Sequence, residues 1–294
     1  MAEKECIIVV GPTAVGKTAE AIRIATALKT EIISADSRQC YKEMKIGVAR
    51  PSDAALSEVR HHFIANHSIH ENITAASFEK EALACLGVIF QDHDHAVVCG
   101  GTGLYIKALA EGLDDIPEVP NDVRKNVISI HQDKGVEGLR DTLLSLDPGF
   151  ALHGDIYNPN RMMRALEVIL HTGFPIAHYQ KGNAQKRQGE EKPAIVVGTR
   201  NFKIRYQFIQ LPREELYARI NDRVDMMMAD GLEDEARPLF DYKHLPALQT
   251  VGYKELFDFF EGKYSRKEAI EKIKQHTRNY AKRQITWFSR LPIN

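Results

Sequence analysis

The sequence contains few cysteines, no long apolar run and almost no net charge. Its four cysteines stand far apart, and none belongs to a C-x-x-C pair, which argues against a zinc knuckle or a redox motif. The longest apolar run near the N-terminus, residues 6–10, is much shorter than the roughly 18 residues of a membrane helix. These absences argue against disulfide-stabilised and membrane-spanning proteins. We expect a cytoplasmic protein that has no membrane partner.

The composition is that of an ordinary globular protein, with 44% apolar and 27% charged residues, which is enough for a sizeable core. The net charge of −1 hides an uneven distribution. Residues 263–290 hold nine basic and two acidic side chains, so the rest of the chain is acidic. A basic segment on an acidic body indicates a polyanionic partner, although a solvated helix face explains the charge equally well.

Short apolar segments alternate with amphipathic ones along the first 100 residues. The pattern predicts strands at residues 6–10, 31–34 and 95–99, and helices at residues 17–28 and 74–90. Such alternation is typical of a parallel sheet that helices cover on both faces. We therefore predict an α/β fold with a parallel sheet as its core.

The alternation of apolar and amphipathic segments ends after about residue 116. Residues 117–192 are polar and mostly helical, with one clear helix at residues 161–171, which Asn160 is expected to cap and Gly173 to end. Residues 181–190 contain few apolar side chains and predict a loop. We interpret residues 117–192 as a mostly helical insertion domain. The core domain is then formed by residues 1–116 and 193–294.

The core pattern resumes after the insertion. It predicts strands at residues 194–198 and 205–211, and a helix at residues 213–230 that ends at Gly231. A last helix is expected from Ser265 to about Phe288, because Ser265 and Glu268 have the S-x-x-E spacing of a capping box.

One segment matches the P-loop motif G-x-x-x-x-G-K-[ST]. It consists of Gly11, Pro12, Thr13, Ala14, Val15, Gly16, Lys17 and Thr18. The glycines let the backbone curl until several N–H groups point at one anion, and the following helix adds its positive end. Lys17 is expected to reach the terminal phosphate, and the Thr18 hydroxyl to bind Mg²⁺. With a strand before it and a helix after it, the motif predicts a P-loop NTPase-like core.

The acidic residue that motor ATPases and GTPases need at the end of a core strand is missing. The strand at residues 95–99 runs into Gly100, Gly101, Thr102 and Gly103 instead. An acid follows the second strand, at Asp36, on the sheet edge where doubly wound folds bind ligands. Asp36 is therefore a candidate general base or metal-holding group, and a turn aspartate is the alternative.

Several segments resemble, in the same order, the tRNA dimethylallyltransferases, also called tRNA isopentenyltransferases. The matching segments are the P-loop, ISADSRQCY at 33–41, MKIGVARP at 44–51, GGTGLY at 100–105, NRMMRALE at 160–167, VGY at 251–253 and AKRQITWF at 281–288. They span residues 7–290 and resemble the shorter bacterial form, which has no C-terminal zinc finger. The chain departs from the family at residues 69–74, where a D-P-x-E stretch is common. We therefore assign no role to His61, His62, His67 or His70.

The resemblance implies transfer of a dimethylallyl group from dimethylallyl diphosphate to N6 of the adenosine 3′ of the anticodon, with release of pyrophosphate. The P-loop would hold this substrate diphosphate rather than ATP. By resemblance, Asp36 accepts the proton from N6, and Lys17, Mg²⁺ on Thr18 and Arg223 stabilise the departing pyrophosphate. Arg219, one helical turn before Arg223, is expected to join the diphosphate site.

The implied partner is the anticodon arm of tRNA. The expected tRNA contacts are Asp36, Ser37, Arg38, Gln39, Thr102, Arg124, Arg161, Arg164, Gly252, Tyr253, Lys282, Arg283 and Gln284. Trp287 and Phe288 can stack on a base, but packing of the last helix against the core is the favoured interpretation. We expect a monomer, because no further amphipathic helix stands out.

Other functions stay open at this point. A small-molecule P-loop kinase shares the motif, but the missing acid and the basic C-terminal segment argue against it. A prenyltransferase for free adenine nucleotides would not need that basic segment. A non-catalytic RNA-binding protein with a degenerate nucleotide site would not need Lys17, Thr18 and Asp36 together.

Overall fold

The computed structural model describes residues 3–180 and 200–292. The chain divides into two compact units, one built from Met1–Gly112 and Val196–Asn294 and the other from Leu113–Ile195. The strand predicted at residues 194–198 and the loop predicted at residues 181–190 lie outside the described residues. Within the described ranges, no helix combines the length and the apolarity that a membrane crossing needs.

The larger unit is built on a parallel sheet, which has five strands among the described residues. They are β1 (Glu5–Val10), β2 (Ile32–Ser34), β3 (His61–His62), β4 (His95–Gly100) and β5 (Lys203–Phe208). Their order across the sheet is β3-β2-β4-β1-β5. Residues 6–10 of β1 are fully buried, as expected for a strand with both faces covered. The predicted α/β fold with a parallel core is confirmed.

The bounds of β5 differ from the predicted 205–211. Lys203 pairs with Glu5, and Phe208 pairs with Val10, the last residue of β1. The pairing ends where β1 turns into the glycine-rich loop, so the partner strand sets where β5 ends. The prediction was wrong because a pairing register is not contained in the local sequence.

Helices cover both faces of the sheet. The first four are α1 (Lys17–Leu28), α2 (Asp53–Glu58), α3 (Ala75–Asp92) and α4 (Gly103–Glu111). Successive side chains of a strand point to opposite faces. Ile8 belongs to a core cluster with Phe78 of α3 and Ile106 of α4, whereas Ile7 belongs to another with Ile24 of α1. The two sides of β1 thus build two separate cores.

The smaller unit is helical. It contains α5 (Asn121–Leu146), α6 (Phe150–His153), α7 (Pro159–Thr172) and a 3-10 helix (Ile176–Tyr179). α5 is interrupted at Gly135, where φ is 66°. Asn158 caps α7, since its side chain accepts the Arg161 N–H at 3.3 Å. The expected cap Asn160 is therefore wrong by two residues, because Pro159 already begins the helix, a position that suits proline. Gly173 ends α7 as predicted.

The C-terminal part of the larger unit adds helices to the sheet. They are α8 (Arg213–Ala229), α9 (Leu232–Ala236), a 3-10 helix (Arg237–Tyr242), α10 (Tyr253–Phe260) and α11 (Arg266–Phe288). The predicted capping box opens α11, because the Ser265 N–H donates to the Glu268 carboxylate at 2.7 Å. Ala14 and Val15 of the glycine-rich loop share a core cluster with Ile220 of α8 and Ala281 of α11. These two helices therefore support the loop that follows β1.

Candidate active site

Three loops of the larger unit meet at the carboxyl edge of the sheet. Residues 11–16 follow β1, residues 35–39 follow β2, and residues 101–102 follow β4. The strands are neighbours in the order β2-β4-β1. Their ends are level, because Val10 pairs with Gly100 and Ser34 pairs with Cys99. Parallel sheets bind ligands at this edge, and the geometry brings the P-loop and Asp36 to it.

The loop after β1 has the backbone of an anion cradle. Gly16 adopts a φ of 103° at the start of α1, a left-handed conformation that favours glycine. Ala14 and Val15 are buried, so these two residues offer backbone N–H groups and not side chains. The eight predicted diphosphate-binding residues, from Gly11 to Thr18, form this loop and the first residues of α1, where N–H groups point outward.

Lys17 reaches back across the loop, and its Nζ donates a hydrogen bond to the Pro12 carbonyl oxygen at 2.8 Å. Burial lowers the pKa of the Lys17 ammonium to about 8, and the nearby Asp36 carboxylate opposes this shift only in part. The ammonium is therefore charged at neutral pH and loses its proton in mildly alkaline solution.

Asp36 lies in the loop after β2. Its Oδ1 accepts the N–H of Arg38 at 2.9 Å and that of Gln39 at 3.3 Å. This is the side-chain turn that the alternative interpretation of Asp36 predicted. Its Oδ2 has no hydrogen-bond partner among the residues that the structure describes. One oxygen thus orients the carboxylate and the other is available to a ligand.

Ser37 and Thr102 connect the second and third loops. The Thr102 hydroxyl oxygen accepts the Ser37 N–H at 3.0 Å, and the two hydroxyls lie 3.2 Å apart. The loops can approach because Gly100 has no side chain: a Cβ there would lie 2.2 Å from the Ala35 carbonyl oxygen. The sequence predicted Thr102 and Ser37 separately as RNA contacts, and the structure brings them together.

Gln284 of α11 connects the first and third loops. Its Oε1 accepts the Thr13 N–H at 2.8 Å, and its Nε2 donates to the Gly101 carbonyl oxygen at 3.0 Å. The side chain is 5% exposed. Both ends of the Gln284 amide thus bind the protein, and the RNA contact expected of this residue stays a prediction.

A cavity of about 800 Å³ lies over these loops, and all of its lining residues belong to the larger unit. Asp36, Thr13 and Thr102 line it from the sheet edge. Arg223 of α8 lines it as well, with its Nη1 3.5 Å from the Thr13 hydroxyl oxygen. Burial lowers the pKa of the Arg223 guanidinium. The volume falls in the range of small-molecule sites.

Three other predicted site residues, Arg219, Tyr253 and Gly252, have different surroundings. Arg219 binds Glu215 at 2.8 Å and is about half exposed, and it does not line the cavity. Tyr253 is fully buried, and its hydroxyl donates to Glu235 at 2.6 Å. The Tyr253 ring therefore has no exposed surface, and the RNA contact expected of this residue stays a prediction. Gly252 lines the cavity, with its N–H bound to Glu255 at 2.7 Å.

The positive charge of residues 263–290 is partly neutralised within the protein. Three of the basic side chains bind carboxylates of other segments, in the pairs Lys263–Asp258 at 2.9 Å, Arg266–Glu233 at 2.8 Å and Lys274–Asp225 at 2.8 Å. Lys282 and Arg283 are exposed on α11. The Arg283 guanidinium lies 5.7 Å from the Tyr280 ring. These two cations are available to an anionic partner.

Three predicted tRNA contacts belong to the smaller unit. Arg161 binds Asp155 at 3.2 Å and is 66% exposed. Arg164 lies 3.4 Å from Glu167. The Arg124 Nε is buried without a hydrogen-bond partner among the described residues. Within this unit, Arg161 is the most accessible of the three cations.

One stripe of α11 lines the cavity in a way that the sequence interpretation missed. Lys272, His276 and Tyr280 lie four residues apart and face it together. Trp287 continues this wall and is 38% exposed, whereas Phe288 is fully buried. A Cβ on Gly103 would lie 2.3 Å from the Trp287 indole nitrogen. The four-residue spacing upstream of Gln284 was the signal that could have found this wall.

A metal site of protein ligands alone is not present within residues 3–180 and 200–292, where no group of three or more His, Cys, Asp or Glu side chains could hold an ion. The histidines at 61–70 do not line the cavity. The Thr18 hydroxyl, in the first turn of α1, is a hard oxygen donor beside the P-loop. Mg²⁺ commonly takes one or two protein oxygens together with water and substrate phosphates. This donor fits Mg²⁺ that arrives with a phosphate ligand.

Comparisons with known proteins identify the family. A family model described as IPP transferase matches residues 39–291. A tRNA dimethylallyltransferase of Christiangramia forsetii is 46% identical over 97% of this chain and 90% of its own length. One from Cytophaga hutchinsonii is 43% identical over 98% of this chain and 90% of its own length. Both alignments cover nearly the whole chain, whereas the family model begins after the P-loop and Asp36.

Solved structures agree with the fold. The tRNA isopentenylpyrophosphate transferase of Bacillus halodurans has a TM-score of 0.68 at 34% identity, over 99% of this chain and 88% of that one. A eukaryotic dimethylallyltransferase acting on tRNA has a TM-score of 0.77 at 25% identity, over 97% of this chain and 70% of that one. They confirm the predicted P-loop NTPase-like α/β fold.

Proposed function

The chain belongs to the IPP transferase family and is a prenyltransferase that modifies tRNA, and from this premise we propose its reaction and the residues that perform it. The donor is dimethylallyl diphosphate, and the acceptor is N6 of the adenosine 3′ of the anticodon. The bond between C1 of the donor and the diphosphate oxygen breaks, and a bond between C1 and N6 forms. The N6 proton passes to Asp36, and pyrophosphate leaves. The convergence of Asp36, Arg223 and Thr13 of the P-loop on one cavity carries this proposal.

The P-loop binds the donor diphosphate through backbone N–H groups and the start of α1. Lys17 and Arg223 add positive charge, and burial withdraws this charge from water and lowers the pKa of both groups. A guanidinium stays protonated despite such a shift. Fixed charges in a water-poor site stabilise a developing anion strongly. The Thr18 hydroxyl would hold Mg²⁺, which would supply further positive charge for the leaving pyrophosphate.

Asp36 is the proposed base. Its Oδ1 is held by two backbone N–H groups, so Oδ2 meets the N6 amino group in a fixed orientation. A positioned base contributes on the order of 10²–10⁴ in rate. The adenosine must leave the anticodon-loop stack to reach it, and Thr102 and Ser37, which line the cavity, are its proposed contacts.

The tRNA backbone binds to basic side chains. On the larger unit these are Lys282 and Arg283 of α11. On the unit Leu113–Ile195, which we propose to be the insertion domain, they are Arg161, Arg164 and Arg124. Contacts of this kind make affinity fall steeply with salt. We expect the chain to act as a monomer.

The test is transfer of radiolabel from dimethylallyl diphosphate to unmodified tRNA, with Mg²⁺ and without ATP. Free AMP in place of tRNA distinguishes a prenyltransferase of nucleotides, and ATP with small acceptors distinguishes a kinase. Label in tRNA alone supports the proposal. ATP turnover without any label in tRNA would overturn it.

Asp36→Asn tests the base. Transfer to tRNA should fall about 10²-fold or more, while binding of dimethylallyl diphosphate is retained, because the P-loop is intact. The matched control is Asp222→Asn, an exposed aspartate beside Arg223, which should transfer at the wild-type rate. Wild-type turnover by Asp36→Asn would show that another group removes the proton.

A further inference from the structure

A carboxylate outside the three catalytic loops holds another wall of the cavity. Glu235 lies on the short helix α9, and its Oε2 accepts the N–H groups of Lys45 at 2.9 Å and Ile46 at 2.7 Å. Its Oε1 accepts the Gly47 N–H at 3.0 Å and the Tyr253 hydroxyl at 2.6 Å. Successive N–H groups around one anion form a nest, and bonds to a charged acceptor are about twice as strong as neutral ones. This carboxylate therefore anchors residues 45–47 firmly.

The next residues are held from the side of Asp36. The Gln39 side chain donates to the carbonyl oxygens of Val48 at 3.2 Å and Ala49 at 3.0 Å. The backbone N–H of the same Gln39 donates to Asp36 Oδ1. Gln39, which the sequence predicted as an RNA contact, thus links residues 48–49 to the proposed base.

This wall is strained and needs support. Ala49 has a φ of 48°, a left-handed conformation that residues other than glycine persist in only when their surroundings impose it. A Cβ on Gly47 would lie 2.6 Å from the Tyr253 ring, so the backbone lies directly on that ring. Gly47, Val48 and Ala49 all line the cavity that contains Asp36.

We propose that Glu235 is a positioning residue for the transfer reaction. It holds the wall of residues 47–49 and, through Gln39, fixes the Asp36 carboxylate relative to the acceptor nucleotide. This inference rests on the proposed function, because it takes Asp36 as the base. The P-loop is not part of this chain of hydrogen bonds, so Glu235 acts on the chemical step and not on diphosphate binding.

The test is Glu235→Gln, which keeps the size of the side chain but removes its charge and aims an NH₂ group at N–H donors. The matched control is Glu233→Gln on the same helix, since Glu233 binds Arg237 at 2.9 Å and Arg266 at 2.8 Å on the surface. Calorimetric titration with dimethylallyl diphosphate gives the concentration of binding-competent enzyme. The kcat for transfer to tRNA is then calculated per diphosphate-binding site. This normalisation removes any loss that comes from unfolded protein.

Displacement of a reacting group by about 1 Å can cost on the order of 10²-fold. We expect kcat per site to fall at least about tenfold in Glu235→Gln, with the Kd for dimethylallyl diphosphate unchanged and Glu233→Gln like the wild type. The inference is overturned if kcat per site is retained, if both variants fall equally, or if diphosphate binding is lost as well. A wild-type enzyme that transfers nothing to tRNA would instead refute the proposed function.

Discussion

Replacing Gln284 by Met tests the link between the P-loop and the loop after β4. Met has a similar volume and flexibility, so the change removes two hydrogen bonds and creates little empty space. The Thr13 N–H and the Gly101 carbonyl lose partners at 2.8 and 3.0 Å. Gln284 is 5% exposed, so these two hydrogen bonds are largely shielded from bulk water.

The magnitude follows from the groups that lose their partners. A buried polar group without a partner costs about 1–3 kcal/mol. The Thr13 N–H bears the full cost, whereas the Gly101 carbonyl keeps the Tyr280 hydroxyl at 3.4 Å. We expect the free energy of unfolding to fall by about 3 kcal/mol in total. For a unit of this size, that corresponds to a decrease in Tm of roughly 6–12 °C.

Urea unfolding followed by circular dichroism measures this change. The midpoint should fall while the m value is unchanged, because the surface exposed on unfolding is the same. Gln275→Met is the matched control, since Gln275 is exposed on the same helix. A loss below about 0.5 kcal/mol for Gln284→Met, as for an ordinary surface change, would refute the reasoning. So would an equal loss in the control.

Three further predictions concern the P-loop and α11. The Kd for dimethylallyl diphosphate should rise above about pH 8, because burial lowers the Lys17 pKa to that value and the neutral amine no longer pairs with phosphate; a Kd that stays constant from pH 7 to 10 would contradict this. Arg223→Gln should weaken calorimetric binding of the same ligand about tenfold or more, whereas Arg219→Gln should not, since Arg219 binds Glu215; equal effects would return Arg219 to the site. Ser265→Ala should lower the free energy of unfolding by about 1 kcal/mol in urea titration, because it removes the cap of α11, and kcat should be unchanged.

Features that depend on neighbouring residues could be predicted from the sequence. The P-loop, the capping box at Ser265 and the α/β alternation all follow from spacings within a few residues. Asp36 was found because it follows a strand that has to end at the same sheet edge as β1. The smaller unit was expected to be helical because the spacing of its apolar residues is also a local pattern.

Features that depend on distant residues could not be predicted. The bounds of β5 depend on its pairing with β1. The position of the wall at residues 47–49 depends on Glu235, about 190 positions away. The basic segment suggested more free charge than exists, because its partners, such as Asp225 and Glu233, lie in other helices. The buried positions of Tyr253 and Gln284 likewise arise only when α10 and α11 pack on the sheet.

Trp287 is a natural fluorescent probe of the cavity. It is the only tryptophan of the chain, and it forms part of the cavity wall against Gly103. When tryptophan is excited selectively, all of the fluorescence therefore comes from the Trp287 indole at this cavity. The smaller unit contributes no background. Because the ring is 38% exposed, a soluble quencher has access to it. Protection from quenching can thus follow occupancy of the site in real time, without a label on protein or RNA.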